Sequence, residues 1–233
     1  MGTALAAPVR WRPARWHGPS APPTAAVPGW EMLGTPWRQA RLCVVDLETT
    51  GLDLRRDEVV GYGAVHVRAG RIVAASAVEG LVRPADPEHR GSAAVAVHGL
   101  RPADLDGAPD ALACADTLLA ALRGSVLVAH AAWVETAFLS RLFALRGARL
   151  DGPVVDTAAL ARATGVVRSG DGAEPRLEAL AVTLGVPVHP PHDALGDALT
   201  TAGVLLALLA RLERDGVPTV ADLTRLTRRH SYR

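Results

Sequence analysis

Leu42-Cys43-Val44-Val45 is an unbroken apolar run that passes directly into Asp46-Leu47-Glu48-Thr49-Thr50-Gly51. A strand with one wet face alternates apolar and polar residues, whereas a continuous run of this kind marks a strand covered on both faces. The same run fixes two carboxylates. Strand side chains alternate, so Asp46 and Glu48 leave the strand end on one side. Two carboxylates in such a place are costly to desolvate unless a proton or a cation neutralises them. Oxygen-rich clusters suit Mg²⁺ or Mn²⁺. The bland alternative is a pair of solvated charges, and the Thr-Thr-Gly that follows allows a sharp turn and close approach to a ligand.

The rest of the chain supplies partners for that strand. Val59 to Val67 and Arg71 to Leu81 read as strands joined by an Ala69-Gly70 turn. A helix is expected over Ala111 to Leu122, a second buried strand over Val126 to Ala129, and a helix from about Val134 to Leu145. Val154-Val155 forms a short strand ending at Asp156, which is expected to cap the next helix because Thr157 and an Ala-rich run follow. Further helices are expected over 158–163, 177–184, 194–213 and 220–228. Three strands followed by alternating strands and helices predict an α/β domain with a mixed five-stranded sheet flanked by helices. Active sites of such sheets gather at the carboxyl ends of strands, where Asp46 and Glu48 stand.

Residues 1–40 differ from the rest: they are rich in Pro, Ala and Arg and carry four of the five Trp residues. They read as a flexible leader, with an Arg/Trp peptide that docks a partner or stacks on single-stranded nucleic acid as the sharper alternative. Residues 41–213 form the expected domain, and 214–233 a C-terminal helix with a basic tail. That tail either adds phosphate contacts or is a solvated helix end. A net charge of +1 gives no global attraction to a polyanion, so nucleic-acid binding must come from local patches. Cys43 and Cys114 sit in apolar patterns and are expected to be free. With no secretory pattern and no run near the ~18 apolar residues of a membrane span, a cytoplasmic location and no membrane partner are expected.

Two further segments carry chemistry. In Pro190-Pro191-His192-Asp193-Ala194-Leu195-Gly196-Asp197 the prolines bar a helix upstream and Asp193 suits a helix N-cap. His192 in the entering loop and Asp197 in the first turns can then converge on one point. Histidine suits activation of a water near neutral pH, though a histidine before a helix is more often a surface or capping residue. In Leu127-Val128-Ala129-His130-Ala131-Ala132-Trp133-Val134-Glu135 a buried strand runs into a helix, with Glu135 in its first turn. Taken alone, Glu135 is a favourable acid at a helix N-terminus.

Asp46-x-Glu48 with Thr-Thr-Gly, the strand-His-helix segment holding Glu135, and His192-x4-Asp197 resemble, in order and spacing, the DEDD exonuclease superfamily. The match is to its His subtype, which includes the proofreading subunit of bacterial DNA polymerase III. It spans about Arg41 to Leu212, and Val97-His98-Gly99-Leu100 and Val155-Asp156-Thr157 also look like family landmarks. The resemblance implies a ribonuclease H-like fold and a metal-dependent 3′→5′ exonuclease that cuts terminal phosphodiester bonds. It implies two Mg²⁺ or Mn²⁺ ions, with Asp46 shared between them, Glu48 and Asp197 completing one site, and Glu135 supporting the other. His192 is implied as the general base. Thr49, Thr50, Leu52 and His98 are implied contacts for the 3′-terminal nucleotide, with Leu52 wedging against its base. The implied partners are nucleic-acid 3′ ends, single-stranded DNA first, and a DNA polymerase or repair protein.

One departure stands out. The family usually reads His-Asn-x-x-Phe-Asp where this chain reads His-Ala-Ala-Trp-Val-Glu. Glu for Asp keeps the ligand type but adds a methylene, a reach of ~1.5 Å against a site tolerance near ~0.5 Å. An RNA-trimming enzyme and a non-catalytic binding module of the same fold are the competing readings. Metal dependence separates the module from the enzymes.

Overall fold

The computed structural model describes residues 29–86, 94–168, 174–216 and 218–231. Five strands, β1 (Leu42–Thr49), β2 (Val59–Arg68), β3 (Arg71–Leu81), β4 (Val126–Ala129) and β5 (Val154–Asp156), form one sheet in the order β3-β2-β1-β4-β5. β1 pairs antiparallel with β2 and parallel with β4, and β2–β3 and β4–β5 are antiparallel and parallel respectively. The expected mixed sheet is therefore present, and β1 is its central strand.

Alternation along β1 divides the core. Cys43, Val45 and Leu47 face one cluster, built with α3 (Ala111–Leu122) and α4 (Trp133–Ala144). Leu42 and Val44 face the other, built with α5 (Thr157–Ala163), α6 (Leu177–Leu184), α7 (Ala194–Leu212) and α8 (Val220–His230). Asp46 and Glu48 continue the second parity, so they emerge on the α7 side. Both cysteines are free and buried, and burial pushes the Cys43 thiol up to about 12, as expected of a small core residue.

Three features depart from the sequence expectations. Residues 29–40, placed in the flexible leader, are packed: Trp37 is 2% exposed within the α7–α8 core. Its indole N–H donates to Glu213 at 2.8 Å, Arg38 reaches the same carboxylate with two 2.7 Å bonds, and Pro36 bridges Thr219. One inserted aromatic needs no periodicity, so the pattern around it gave no sign. Residues 1–28 lie outside the described residues. Two four-residue helices, α1 (Val95–His98) and α2 (Pro102–Leu105), are too short to show a period. Finally, α7 is long and apolar enough to cross a membrane, contrary to the reading of the sequence. Its Leu, Ala and Val residues raise its mean hydropathy, and much of that apolar face is buried in the core.

Candidate active site

Gly63 of β2 and Gly196 of α7 set the packing around the start of α7. Gly63 and Gly61 of β2 stand opposite Asp46 and Glu48. A Cβ on Gly63 would lie 2.4 Å from the backbone of Ala194 and Leu195, so the first turn of α7 rests directly on β2. A Cβ on Gly196 would lie 2.4 Å from the carbonyl oxygen of Pro190, so the entering loop also folds tightly over the helix start. Asp193 caps α7 by accepting from the Gly196 N–H at 2.8 Å. His192 turns the chain with φ of 60°, a left-handed conformation uncommon outside glycine, and its N–H donates to Asp197 Oδ2 at 2.9 Å.

This geometry brings the carboxylates of Asp46, Glu48 and Asp197 together, with one oxygen from each within 4.8 Å of the others. Glu135, in the first turn of α4, lies outside that trio but beside it. It is 4% exposed, and its charge is the strongest of those acting on Asp46. Burial first, then the charges of Glu135, Asp197, Glu48 and Asp193, hold the Asp46 carboxyl well above the usual carboxylate range. Burial and the Asp197 charge push Glu48 up to about 7; burial, with Asp156 and Glu48 nearby, pushes Glu135 up to about 8. Asp197 is raised by burial, against the opposing pull of the His192 N–H.

Such a cluster binds either protons or cations. Among the described residues, Asp197 Oδ1 and Glu135 Oε2 are buried without a hydrogen-bond partner. Oxygen-only donors with unused lone pairs fit hard divalent ions such as Mg²⁺ and Mn²⁺. Asp46, Glu48 and Asp197 could hold such an ion, with Glu135 beside them.

Beside the trio lies a pocket of about 410 Å³ lined by Glu48, Gly61, Glu79, His98, Leu100 and His192, among others. His98 Nδ1 accepts from the Leu100 N–H at 3.0 Å, which leaves the ring proton on Nε2. Burial and the nearby His192 hold His98 below its ordinary range, against the opposing pull of the Thr49 backbone. Leu52 is 59% exposed on the turn after β1, and Thr49 donates its hydroxyl to the Gly51 carbonyl at 2.8 Å.

Thr50 requires a correction. It is buried, its hydroxyl donates to Asp57 and accepts from the Glu58 N–H, and its own N–H donates to the Glu58 carbonyl. Neither group remains for a nucleotide, so Thr50 pins the β1–β2 turn. Asp156 behaves as an N-cap, accepting from Ala158 at 2.9 Å and from the Ala131 N–H at 3.1 Å. His130 ties the end of β4 to Thr157 and to the Pro175 carbonyl. Ala131, where the superfamily usually has Asn, has φ of 54°. Glu79 and Asp193 are pocket residues that the motifs did not single out. Glu79 sits on an ordinary strand, and Asp193 carried only a capping signal.

Residues 43–205 match the RNase T exonuclease family. The chain belongs to this family. An exonuclease of this family with the ribonuclease H-like fold and the acidic trio above is a DEDD-type 3′→5′ exonuclease, a phosphodiester hydrolase. A DNA polymerase III subunit epsilon-like protein of Rhodobacter capsulatus is 34% identical over 197 residues, which is 84% of this chain and 27% of the relative. The PolC-type DNA polymerase III of Thermotoga maritima is 31% identical over 80% of this chain but only 13% of its own length. The exonuclease thus spans a minor part of these relatives. Among solved structures, exonuclease X in complex with 5′-overhanging duplex DNA superposes with a TM-score of 0.59 at 26% identity, over 80% of this chain and 99% of that one. E. coli exonuclease I with a dT13 oligonucleotide shares the fold, with a TM-score of 0.62 at 18% identity, over 76% of this chain and 42% of that one.

Proposed function

We propose that this exonuclease removes nucleotides from the 3′ ends of single-stranded DNA, with two divalent cations at Asp46, Glu48, Asp197 and Glu135 and with His192 as general base. The observation that carries the reading is the close trio of carboxylates, each raised above its ordinary range by burial and by its acidic neighbours, an arrangement that a bound cation relieves. When bound, the ions would neutralise charge on the phosphate and on the attacking and leaving oxygens.

The protein's own residues do the rest. His192 stands exposed at the pocket rim, held by its backbone bond to Asp197, and takes a proton from the attacking water. The water oxygen joins the last phosphorus, the bond from that phosphorus to the 3′ oxygen of the preceding nucleotide breaks, that oxygen takes a proton from solvent, and a nucleoside 5′-monophosphate leaves. Leu52 packs against the terminal base, and the His98 ring lines the pocket beside the terminal nucleotide. Glu135, with its unpartnered Oε2, would supply a carboxylate to the second ion.

DNA is favoured because exonuclease X is held with DNA, and the polymerase names of the curated relatives extend the proposal to proofreading or repair beside a DNA polymerase. The test is digestion of 5′-labelled single-stranded DNA and RNA in Mg²⁺, Mn²⁺ or EDTA, with Asp46→Ala alongside. A ladder receding from the 3′ end of DNA, lost in EDTA and in the variant, is expected. Digestion that persists in EDTA would refute the metal mechanism, and faster cutting of RNA would move the substrate to RNA.

A further inference from the structure

Glu79 has no part in the chemistry above, yet it opens onto the same pocket. It lies on the edge strand β3, opposite Gly63 of β2, which is itself opposite Asp46 of β1. With strands about 4.8 Å apart, its Cα stands about 10 Å from that of Asp46, on the α7 side of the sheet. The neighbouring row, Leu81–Gly61–Glu48, forms the floor between them. Gly61 leaves the floor open: a Cβ there would lie 3.3 Å from the Glu48 Cβ and 3.6 Å from Leu100.

The half-buried Glu79 carboxylate makes no hydrogen bond or ion pair among the described residues. Burial, then the Asp193 charge, raises its carboxyl above the ordinary range, so its surroundings offer it no compensation. A phosphate would be repelled from this wall, and the cations that would hold it sit on the far side, at Glu48. A neutral group bearing hydrogen-bond donors suits Glu79, and Leu81 and Leu100 supply apolar walls beside it. A space of about 410 Å³ is in the range of small-molecule pockets and has room for one nucleoside.

We propose that Glu79 is a specificity residue that accepts a hydrogen bond from the terminal nucleoside of the substrate, either from a sugar hydroxyl or from a base amine. The inference rests on the exonuclease reading of the same site. An exposed charge on an edge strand has another ordinary use, preventing strand-to-strand aggregation, and the experiment must separate the two.

Steady-state cleavage of 5′-labelled single-stranded DNA ending in dA, dC or dT, or in a 2′,3′-dideoxynucleotide, is measured for wild type, Glu79→Ala and Glu79→Gln. Calorimetry with dAMP and dTMP measures binding without turnover. Loss of a hydrogen bond to a charged acceptor predicts a KM about 10-fold higher for Glu79→Ala with kcat within twofold, and partial recovery in Glu79→Gln, whose amide oxygen still accepts. If the hydroxyl is the donor, the effect spans all three bases and vanishes on the dideoxy terminus. If the amine is the donor, it appears on dA and dC and not on dT. An unchanged KM at every terminus, or a fall in kcat alone, overturns the proposal. Should the wild type cleave nothing, the exonuclease reading fails by itself. Calorimetry then decides for Glu79: tenfold weaker mononucleotide binding in Glu79→Ala upholds its role, and equal or absent binding overturns it.

Discussion

Replacing Gly63 with Ala tests how the site is assembled. The new Cβ would stand 2.4 Å from the backbone carbon and oxygen of Ala194 and the nitrogen of Leu195, where ordinary contact begins at 3.4 Å. These are backbone atoms at the start of a helix, so no side-chain rotation relieves the clash. The first turn of α7 must retreat from β2 by about 1 Å, carrying Asp197 away from Asp46 and Glu48. Catalytic groups need placement within about 0.5 Å, and a misplacement of about 1 Å can cost on the order of 10²-fold in rate. Overpacking costs about 1–3 kcal/mol in stability. The assay is kcat/KM on a single-stranded 3′ end together with urea unfolding, with Gly34→Ala as control because a Cβ there meets nothing within 4 Å. Gly63→Ala should lose activity far beyond its loss of stability. A variant within threefold of wild type in kcat/KM would refute the claim that this contact sets the position of Asp197.

Three other outcomes are expected. Ala131 holds φ of 54°, which costs an alanine about 1–2 kcal/mol, so Ala131→Gly should stabilise the protein by about 0.5–1 kcal/mol after the greater freedom of glycine in the unfolded chain; a lower midpoint in urea would contradict this. Glu135→Gln should reduce turnover at least 100-fold by removing a carboxylate from the second ion, while Glu135→Asp stays within about 10-fold, both read from initial rates in Mg²⁺; equal losses would argue that Glu135 acts only in folding. The pH dependence of stability has a definite sign. Glu48 and Glu135 are raised to about 7 and about 8, above the unfolded value of 4.5, so the folded metal-free protein keeps protons that the unfolded chain sheds. Its stability should therefore fall as pH rises from about 5 to about 8, and Mg²⁺ should raise Tm more at pH 8 than at pH 5.5. A Tm shift by Mg²⁺ that is independent of pH would contradict the assignment.

Much of this site was legible because it is written in periods. The unbroken Leu42–Val45 run set β1 as a strand covered on both faces, and the two-residue period then put Asp46 and Glu48 on one side. The Pro-Pro-His-Asp segment set the start of α7 to the residue, because prolines end alternatives and Asp193 caps. What stayed hidden depends on contacts distant in sequence. Trp37 reaches Glu213 across the fold, and no local pattern announces that. The hydroxyl of Thr50 is consumed by Asp57 and Glu58, which becomes visible only once the turn has closed. Glu79 looks like any strand residue until β2 sets Gly63 between it and Asp46.

The central claim is that Asp46, Glu48 and Asp197 form a cation site supported by Glu135, and Mn²⁺ titration by calorimetry at pH 8 tests it most directly. The wild type should bind two ions with release of protons. Asp46→Asn should lose most of that binding, and Glu135→Gln should retain one ion. If Asp46→Asn binds Mn²⁺ as the wild type does, the carboxylate trio is not the metal centre, and the account of catalysis built on it is wrong.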